Sequence, residues 1–75
     1  MRELNNYVGK NIIVYREHKE SCRIIPELYS GILIMKNILF FPSYYIYSNE
    51  NKIKIKKGDK IYEKIKDDIE FILTY

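Results

Sequence analysis

Isoleucine and lysine alternate strictly over residues 52–56, the clearest pattern of polar and apolar positions in the chain. Successive side chains of a strand point to opposite faces, so Ile53 and Ile55 share one face and the three lysines share the other. Residues 44–48, which read Tyr-Tyr-Ile-Tyr-Ser, predict the strand before it. Together the two segments predict an antiparallel hairpin with a basic side that faces water.

A turn centred on residues 50–51 sets the expected register of this hairpin. Ile46 then lies opposite Ile55 on the buried face, and Tyr47 lies opposite Lys54 on the exposed face. This register agrees with the apolar positions of both strands. It predicts a patch of aromatic and basic side chains on the surface of the protein.

This patch is the candidate binding site. Proteins bind single-stranded nucleic acid with lysines, which contact the phosphates, and with aromatic rings, which stack on the bases. Each stacked base contributes about 1–3 kcal/mol. Tyrosine also anchors many protein interfaces. A second alternative is that the lysines of the exposed strand bind nothing and prevent edge-to-edge aggregation. The side chains expected in the site are Tyr45, Tyr47, Lys52, Lys54 and Lys56.

The first third of the chain predicts a short helix, a strand and a loop. Residues 4–8 predict one helical turn. Residues 11–16 predict the central strand, because apolar side chains there point to both faces. Residues 17–27 are charged and aperiodic and contain Pro26, which cannot donate a ladder hydrogen bond. We therefore expect a long mobile loop between residues 17 and 27.

Two further strands precede the hairpin. Residues 28–35 and 38–41 are apolar, and a tight turn at residues 36–37 would join them. Gly31 marks a bulge or a close approach of two backbones. Pro42 ends or bends the second strand, which predicts a strongly bent, barrel-like sheet.

The last segment, residues 60–73, predicts a helix that Asp59 would cap. The alternative is a hairpin with strands at 60–65 and 69–74, but this would place Glu63 on the same face as two isoleucines. The helix would pack through isoleucines that recur every three or four residues: Ile61, Ile65, Ile69 and Ile72.

These elements predict one α+β, β-rich domain over residues 1–75. Its sheet would be small, antiparallel and barrel-like, with four to five strands and a C-terminal helix. The core is expected to contain Ile12, Val14, Leu33, Met35, Leu39, Ile46, Ile53 and Ile55.

Two short runs resemble motifs of the Sm-type or SH3-like small barrels. One is Tyr-Ser-Gly-Ile-Leu at residues 29–33, after the strand at 9–14, and the other is Lys-Gly-Asp-Lys-Ile at residues 57–61. The Asp and Met-Asn expected downstream of the first motif are missing at their usual distance. This resemblance implies an all-β SH3/Sm-like barrel, which we keep as the alternative fold.

Positive charge is concentrated in the hairpin rather than spread over the chain. The 75 residues carry a net charge of +3. Residues 49–57 hold four lysines against one glutamate, whereas residues 58–75 hold three lysines against five carboxylates. This total is low for a dedicated nucleic-acid binder, so we expect a protein or nucleoprotein complex as the partner and direct nucleic-acid contact as the alternative.

The sequence shows no catalytic or metal-binding motif. His18 and Cys22 stand four residues apart, but a structural zinc site needs four ligands and the chain has no further His or Cys. The glycines are isolated, which excludes a glycine-rich phosphate loop. We expect neither enzymatic activity nor a cofactor or metal.

Composition indicates the origin and location of the chain. Isoleucine, lysine, asparagine and tyrosine are abundant while alanine, tryptophan and glutamine are absent, which is typical of a low-GC genome. No apolar run approaches the roughly 18 residues that cross a bilayer, so we expect a cytoplasmic protein without membrane contact. A small size and a single cysteine leave a homodimer open.

The expected function is a small binding protein that occupies or bridges a surface on a nucleic-acid-handling complex. A phage or mobile-element inhibitor of host defence, of the anti-CRISPR type, fits this description. The alternatives are a nucleic-acid-binding small β-barrel and a small assembly subunit or scaffold. A subunit of this last kind would join its neighbours through an exposed sheet edge or an apolar helix face.

Overall fold

Residues 3–75, which the computed structural model describes, form one antiparallel sheet of six strands: β1 Asn11–Glu20, β2 Arg23–Ile38, β3 Phe41–Ser48, β4 Asn51–Lys54, β5 Lys60–Ile65 and β6 Asp68–Thr74. The strands lie in the order β4-β3-β2-β1-β5-β6 across the sheet. A 3-10 turn at Leu4–Tyr7 precedes the sheet, as the sequence predicts. β1 lies between β2 and β5, so its predicted central position is confirmed. The sheet is not closed into a barrel.

The loop predicted at residues 17–27 is wrong, because β1 and β2 extend through it as a two-stranded ribbon. A two-residue turn at Ser21-Cys22 joins them, and both residues have positive φ. The ribbon is largely exposed on both faces, so its sequence lacks the apolar alternation of a half-buried strand. Pro26 is tolerated because β3 pairs only with residues 32–38 of β2. At Pro26, β2 therefore has a single neighbouring strand, β1.

The turn predicted at residues 36–37 is also wrong. β2 continues to Ile38, and the chain turns at Leu39-Phe40, again with two positive φ angles. Such paired left-handed residues match the twist of a two-residue hairpin. Leu39 is consequently 81% exposed and is not a core residue, contrary to the prediction. Pro42 lies within β3, near its first residue.

The predicted C-terminal helix is absent from the described residues, and β5 and β6 form a hairpin instead. Ile61 is buried whereas Ile65 is 47% exposed, as expected for a strand end and not for a helical stripe. A β-bulge lies between the pairs of Ile61 and Tyr62, and Ile72 on the opposite strand is buried. Glu63 does face the core, but its carboxylate lies 3.7 Å from the Lys10 ammonium.

The core lies on the concave face of a strongly bent sheet. The bend brings the ring of Tyr44, in β3, to 6.0 Å from that of Tyr75, which follows β6. Five predicted core residues are buried, whereas Met35 and Ile53 are partly buried against them. The buried apolar side chains are Leu4, Ile12, Val14, Leu33, Tyr44, Ile46, Ile55, Ile61 and Ile72.

Candidate binding site on the outer face of the sheet

The predicted tyrosines and two of the predicted lysines lie together on the outer face of β3 and β4. Tyr45 lies opposite Lys54, and Tyr47 lies opposite Lys52. Directly opposed residues of an antiparallel pair share a face, so the four side chains form one surface. Tyr47 is about half exposed and both lysines are exposed.

The register of this hairpin differs from the predicted register by two residues. The turn lies at Asn49-Glu50, where φ is +47° and +69°, so Ile46 lies opposite Ile53 and not Ile55. Asparagine enters the left-handed region readily, and an asparagine is present in the predicted turn 50–51 as well. The local sequence therefore does not distinguish the turns. A two-residue shift keeps every side chain on its predicted face.

Lys56 does not join this surface. It follows β4 in the loop to β5, where its backbone N–H donates to Asp59 Oδ2 at 2.8 Å. Its side chain is exposed beside that loop. The structure therefore brings together four of the five predicted site residues and moves the fifth to another part of the surface.

Lys36 also belongs to this surface. It is not among the predicted site residues, because the sequence predicts a turn at residues 36–37. It lies in β2 on the outer face, opposite Ser43 of β3. The side chain of Lys36 lies close to that of Lys52 and lowers the pKa of Lys52, because a second ammonium group nearby disfavours the charged form; desolvation lowers this pKa further. The period of two that places Ile32 and Ile34 on one face of a strand also places Lys36 on that face when the strand continues past residue 35. We call Lys36, Tyr45, Tyr47, Lys52 and Lys54 the Tyr/Lys face.

A cation–π contact lies at the centre of the Tyr/Lys face. The Lys52 Nζ lies 4.8 Å from the ring centroid of Tyr45. An ammonium above a tyrosine ring is attracted by the negative face of the ring. Neither Lys52 nor Lys36 forms an ion pair with any residue in the described range 3–75. An anion bound between them would reduce their repulsion.

Apolar side chains continue the same surface toward the tip of the β2–β3 hairpin. Ile38 lies opposite Phe41, on the same side of the sheet as Lys36 and Tyr45. Phe41 is 74% exposed and Phe40, in the turn, is completely exposed. Contiguous exposed apolar surface of this kind marks sites of protein interaction. We refer to residues 38–41 as the apolar tip.

Gly31 lets β3 approach β2 closely enough to position Tyr47. A Cβ atom at residue 31 would lie 1.7 Å from the carbonyl oxygen of Tyr47, far inside van der Waals contact. The close approach of two backbones expected at Gly31 is therefore confirmed. Only glycine fits this position without moving β3.

An ion pair holds the end of β4 against the central strand. Arg16 Nε donates to Asp59 Oδ1 at 2.9 Å, and Arg16 Nη2 donates to Asp59 Oδ2 at 2.7 Å and to the Lys54 carbonyl at 3.0 Å. Burial alone would raise the pKa of Asp59, but the hydrogen bonds from Arg16 and from the Lys56 N–H outweigh it, and the pKa is lowered. The sequence assignment, which made Asp59 a helix cap, missed this pair.

Comparison with known proteins adds no family or relative. No protein-family model, curated protein or solved structure matches the chain. Within residues 3–75, no helix is long and apolar enough to span a membrane. The same residues contain no group of three or more His, Cys, Asp or Glu side chains placed to hold a metal ion. His18 and Cys22 are exposed on the β1–β2 ribbon.

Proposed function

We propose that this chain is a small non-enzymatic binding protein that occupies an anionic surface on a nucleic-acid-handling complex. The Lys36–Lys52 pair beside the ring of Tyr45 carries this proposal. The two close ammonium groups, which have no carboxylate partner among residues 3–75, repel each other, and a phosphate or carboxylate on a partner would stabilise both. The site therefore favours an anionic partner.

The apolar tip favours a protein as the directly contacted molecule. Exposed phenylalanines next to lysine and tyrosine give the mixture of apolar anchor and charged surroundings that protein interfaces use. A net charge of +3 is small for binding driven by counterion release alone. The Tyr/Lys face and the apolar tip would then contact one protein surface together.

Size and composition support a biological setting for such a protein. Isoleucine, lysine, asparagine and tyrosine, which AT-rich codons encode, are abundant in this small chain, as they are in many phage and mobile-element proteins of low-GC bacteria. An inhibitor of host defence, of the anti-CRISPR type, acts by occupying a surface on a nucleoprotein complex. The proposed binding mode is sufficient for that role, since blocking a surface requires no catalytic group.

Direct binding of single-stranded nucleic acid is the second candidate function. The two tyrosine rings and three lysines of the Tyr/Lys face are the chemistry that stacks on bases and contacts phosphates. Fluorescence anisotropy of labelled single-stranded DNA and RNA at two salt concentrations tests this candidate. Binding that weakens steeply with salt is expected if it holds.

Affinity capture from a low-GC bacterial lysate tests the proposed function. The full chain serves as bait, with and without nuclease treatment of the lysate, at about 0.1 M and about 1 M salt. Electrostatic contacts weaken between these concentrations, because the Debye length falls from about 10 Å to about 3 Å. We expect proteins that remain bound after nuclease treatment and are released at high salt. If retention depends on intact nucleic acid, the result supports direct binding of single-stranded nucleic acid instead. No retention at low salt would contradict both.

A further inference from the structure

A second basic site lies where the loop between β4 and β5 passes β1. A cleft of about 380 Å³ opens there, on a different part of the surface from the Tyr/Lys face. Three lysines line it: Lys56 and Lys57 come from the loop, and Lys60 is the first residue of β5. All three side chains belong to exposed residues.

The charges that line the cleft sum to a net value of +2. Arg16 and Asp59 also line it, but they neutralise each other within their ion pair. One further carboxylate, Glu17, accepts a hydrogen bond from the Tyr15 hydroxyl at 3.1 Å. Three lysines therefore face a single remaining carboxylate. The cleft attracts anions.

The loop is fixed before any ligand arrives. The Asp59 N–H donates to the Lys56 carbonyl at 3.1 Å, and the Lys56 N–H donates to the Asp59 carboxylate at 2.8 Å. The Tyr75 N–H donates to the Asp59 carbonyl at 2.8 Å, which joins the loop to the end of the chain. A loop held in this way loses little further backbone freedom on binding, so the backbone that carries its lysines is preorganised.

The cationic groups remain available to a ligand. Neither Lys57 nor Lys60 forms an ion pair with another residue in the part of the chain that the structure describes. The Lys60 Nζ lies 5.9 Å from the ring centroid of Tyr15, which lines the same cleft. A phosphate group carries enough charge and enough acceptor oxygens to contact several ammonium groups at once.

We propose that this cleft binds a phosphate group through Lys56, Lys57 and Lys60. The phosphate could belong to a free phosphorylated compound or to the backbone of a nucleic acid, and both present the same chemistry to the lysines. This site goes beyond the proposed function, because it uses none of the side chains of the Tyr/Lys face. The two sites can therefore fail independently.

Amide chemical shifts of the ¹⁵N-labelled full chain, measured during titration, test the proposal. The first probe is inorganic phosphate and the second is a single-stranded oligothymidine. Saturable shifts are expected at the amides of residues 56–60. In the double variant Lys57→Gln/Lys60→Gln the apparent affinity should fall by about tenfold or more, since two charge-assisted contacts are lost. The matched control is Lys64→Gln/Lys66→Gln, which removes the same charge from the β5–β6 hairpin and should bind as the wild type does.

The outcomes distinguish a nucleic-acid backbone from a free phosphorylated compound as the source of the phosphate, and they show whether the cleft binds phosphate at all. Tighter binding of the oligonucleotide than of phosphate at residues 56–60 assigns a backbone phosphate, and equal or weaker binding assigns a free compound. No saturable shift with either probe would overturn the proposal. Equal loss of affinity in both double variants would also overturn it, because the effect would then follow net charge alone. Loss of these shifts in Lys36→Gln/Lys52→Gln would show that the cleft has no independent site.

Discussion

Arg16 of the central strand donates hydrogen bonds to both carboxylate oxygens of Asp59, at 2.9 Å and 2.7 Å. The pair is nearly buried, with the Asp59 side chain 3% exposed and that of Arg16 16% exposed. It connects β1 to the loop that follows β4. The ion pair therefore helps to hold the end of β4 and the basic cleft in place, together with the pairing of β4 with β3.

Removal of the Asp59 charge should destabilise the fold strongly. In Asp59→Asn the guanidinium of Arg16 loses its anionic partner, and an uncompensated charge in such a site costs about 3 kcal/mol of the free energy of unfolding. Urea denaturation followed by circular dichroism measures this change. Asp67→Asn is the matched control: Asp67 is exposed between β5 and β6, and its replacement should change the free energy by less than about 0.5 kcal/mol. Equal losses in both variants would contradict the assigned role.

The same pair predicts how stability depends on pH. The pKa of Asp59 is lower in the folded chain than its ordinary value of 3.8. The stabilising contribution of the carboxylate is therefore complete above about pH 4 and is lost as the pH falls through the lowered folded-state pKa. The urea midpoint of the wild type should fall across this acidic range. Asp59→Asn should show a shallower decrease, and an identical decrease in both would refute the assignment.

Gly31→Ala should disrupt the pairing of β2 with β3. The new methyl group would collide with the carbonyl of Tyr47, and overpacking against backbone costs about 1–3 kcal/mol or more. Thermal unfolding measures the loss, and Ser30→Ala, one residue earlier and exposed, should be nearly neutral. A stable Gly31→Ala protein would show that the two strands are not in close contact here.

Two isoleucines distinguish the C-terminal hairpin from a helix. Ile61→Ala should cost about 2–5 kcal/mol, because Ile61 is completely buried. Ile65→Ala should cost less than about 1 kcal/mol, because Ile65 lies at the exposed end of β5. A packed helical stripe would make the two losses similar. Urea denaturation of both variants separates the arrangements.

The sequence predicted the features that depend on strict alternation. The faces of β3 and β4 and most of the core follow from the period of two in segments with one buried face, and the central place of β1 follows from apolar side chains on both of its faces. Four of the five residues of the Tyr/Lys face could also be predicted, because a two-residue change of register keeps each side chain on the same face of the sheet.

The errors arose where local patterns were ambiguous or where distant residues decide the structure. The exposed β1–β2 ribbon has no apolar period to indicate strands. Ile61, Ile65, Ile69 and Ile72 fit a helical stripe as well as they fit a bulged hairpin, and only packing decides between them. The Arg16–Asp59 pair joins residues 43 positions apart, which no local pattern reveals.

We infer that the Tyr/Lys face binds the partner, and one capture experiment with three baits tests this claim. The full chain, Lys36→Gln/Lys52→Gln and Lys64→Gln/Lys66→Gln are used to capture proteins from nuclease-treated lysate, and the bound proteins are quantified by mass spectrometry. Both double variants lower the net charge from +3 to +1, so charge alone cannot separate them. We predict that the proteins bound by the wild type are also bound by Lys64→Gln/Lys66→Gln and are lost with Lys36→Gln/Lys52→Gln. Equal capture of the same proteins by both double variants would contradict the claim.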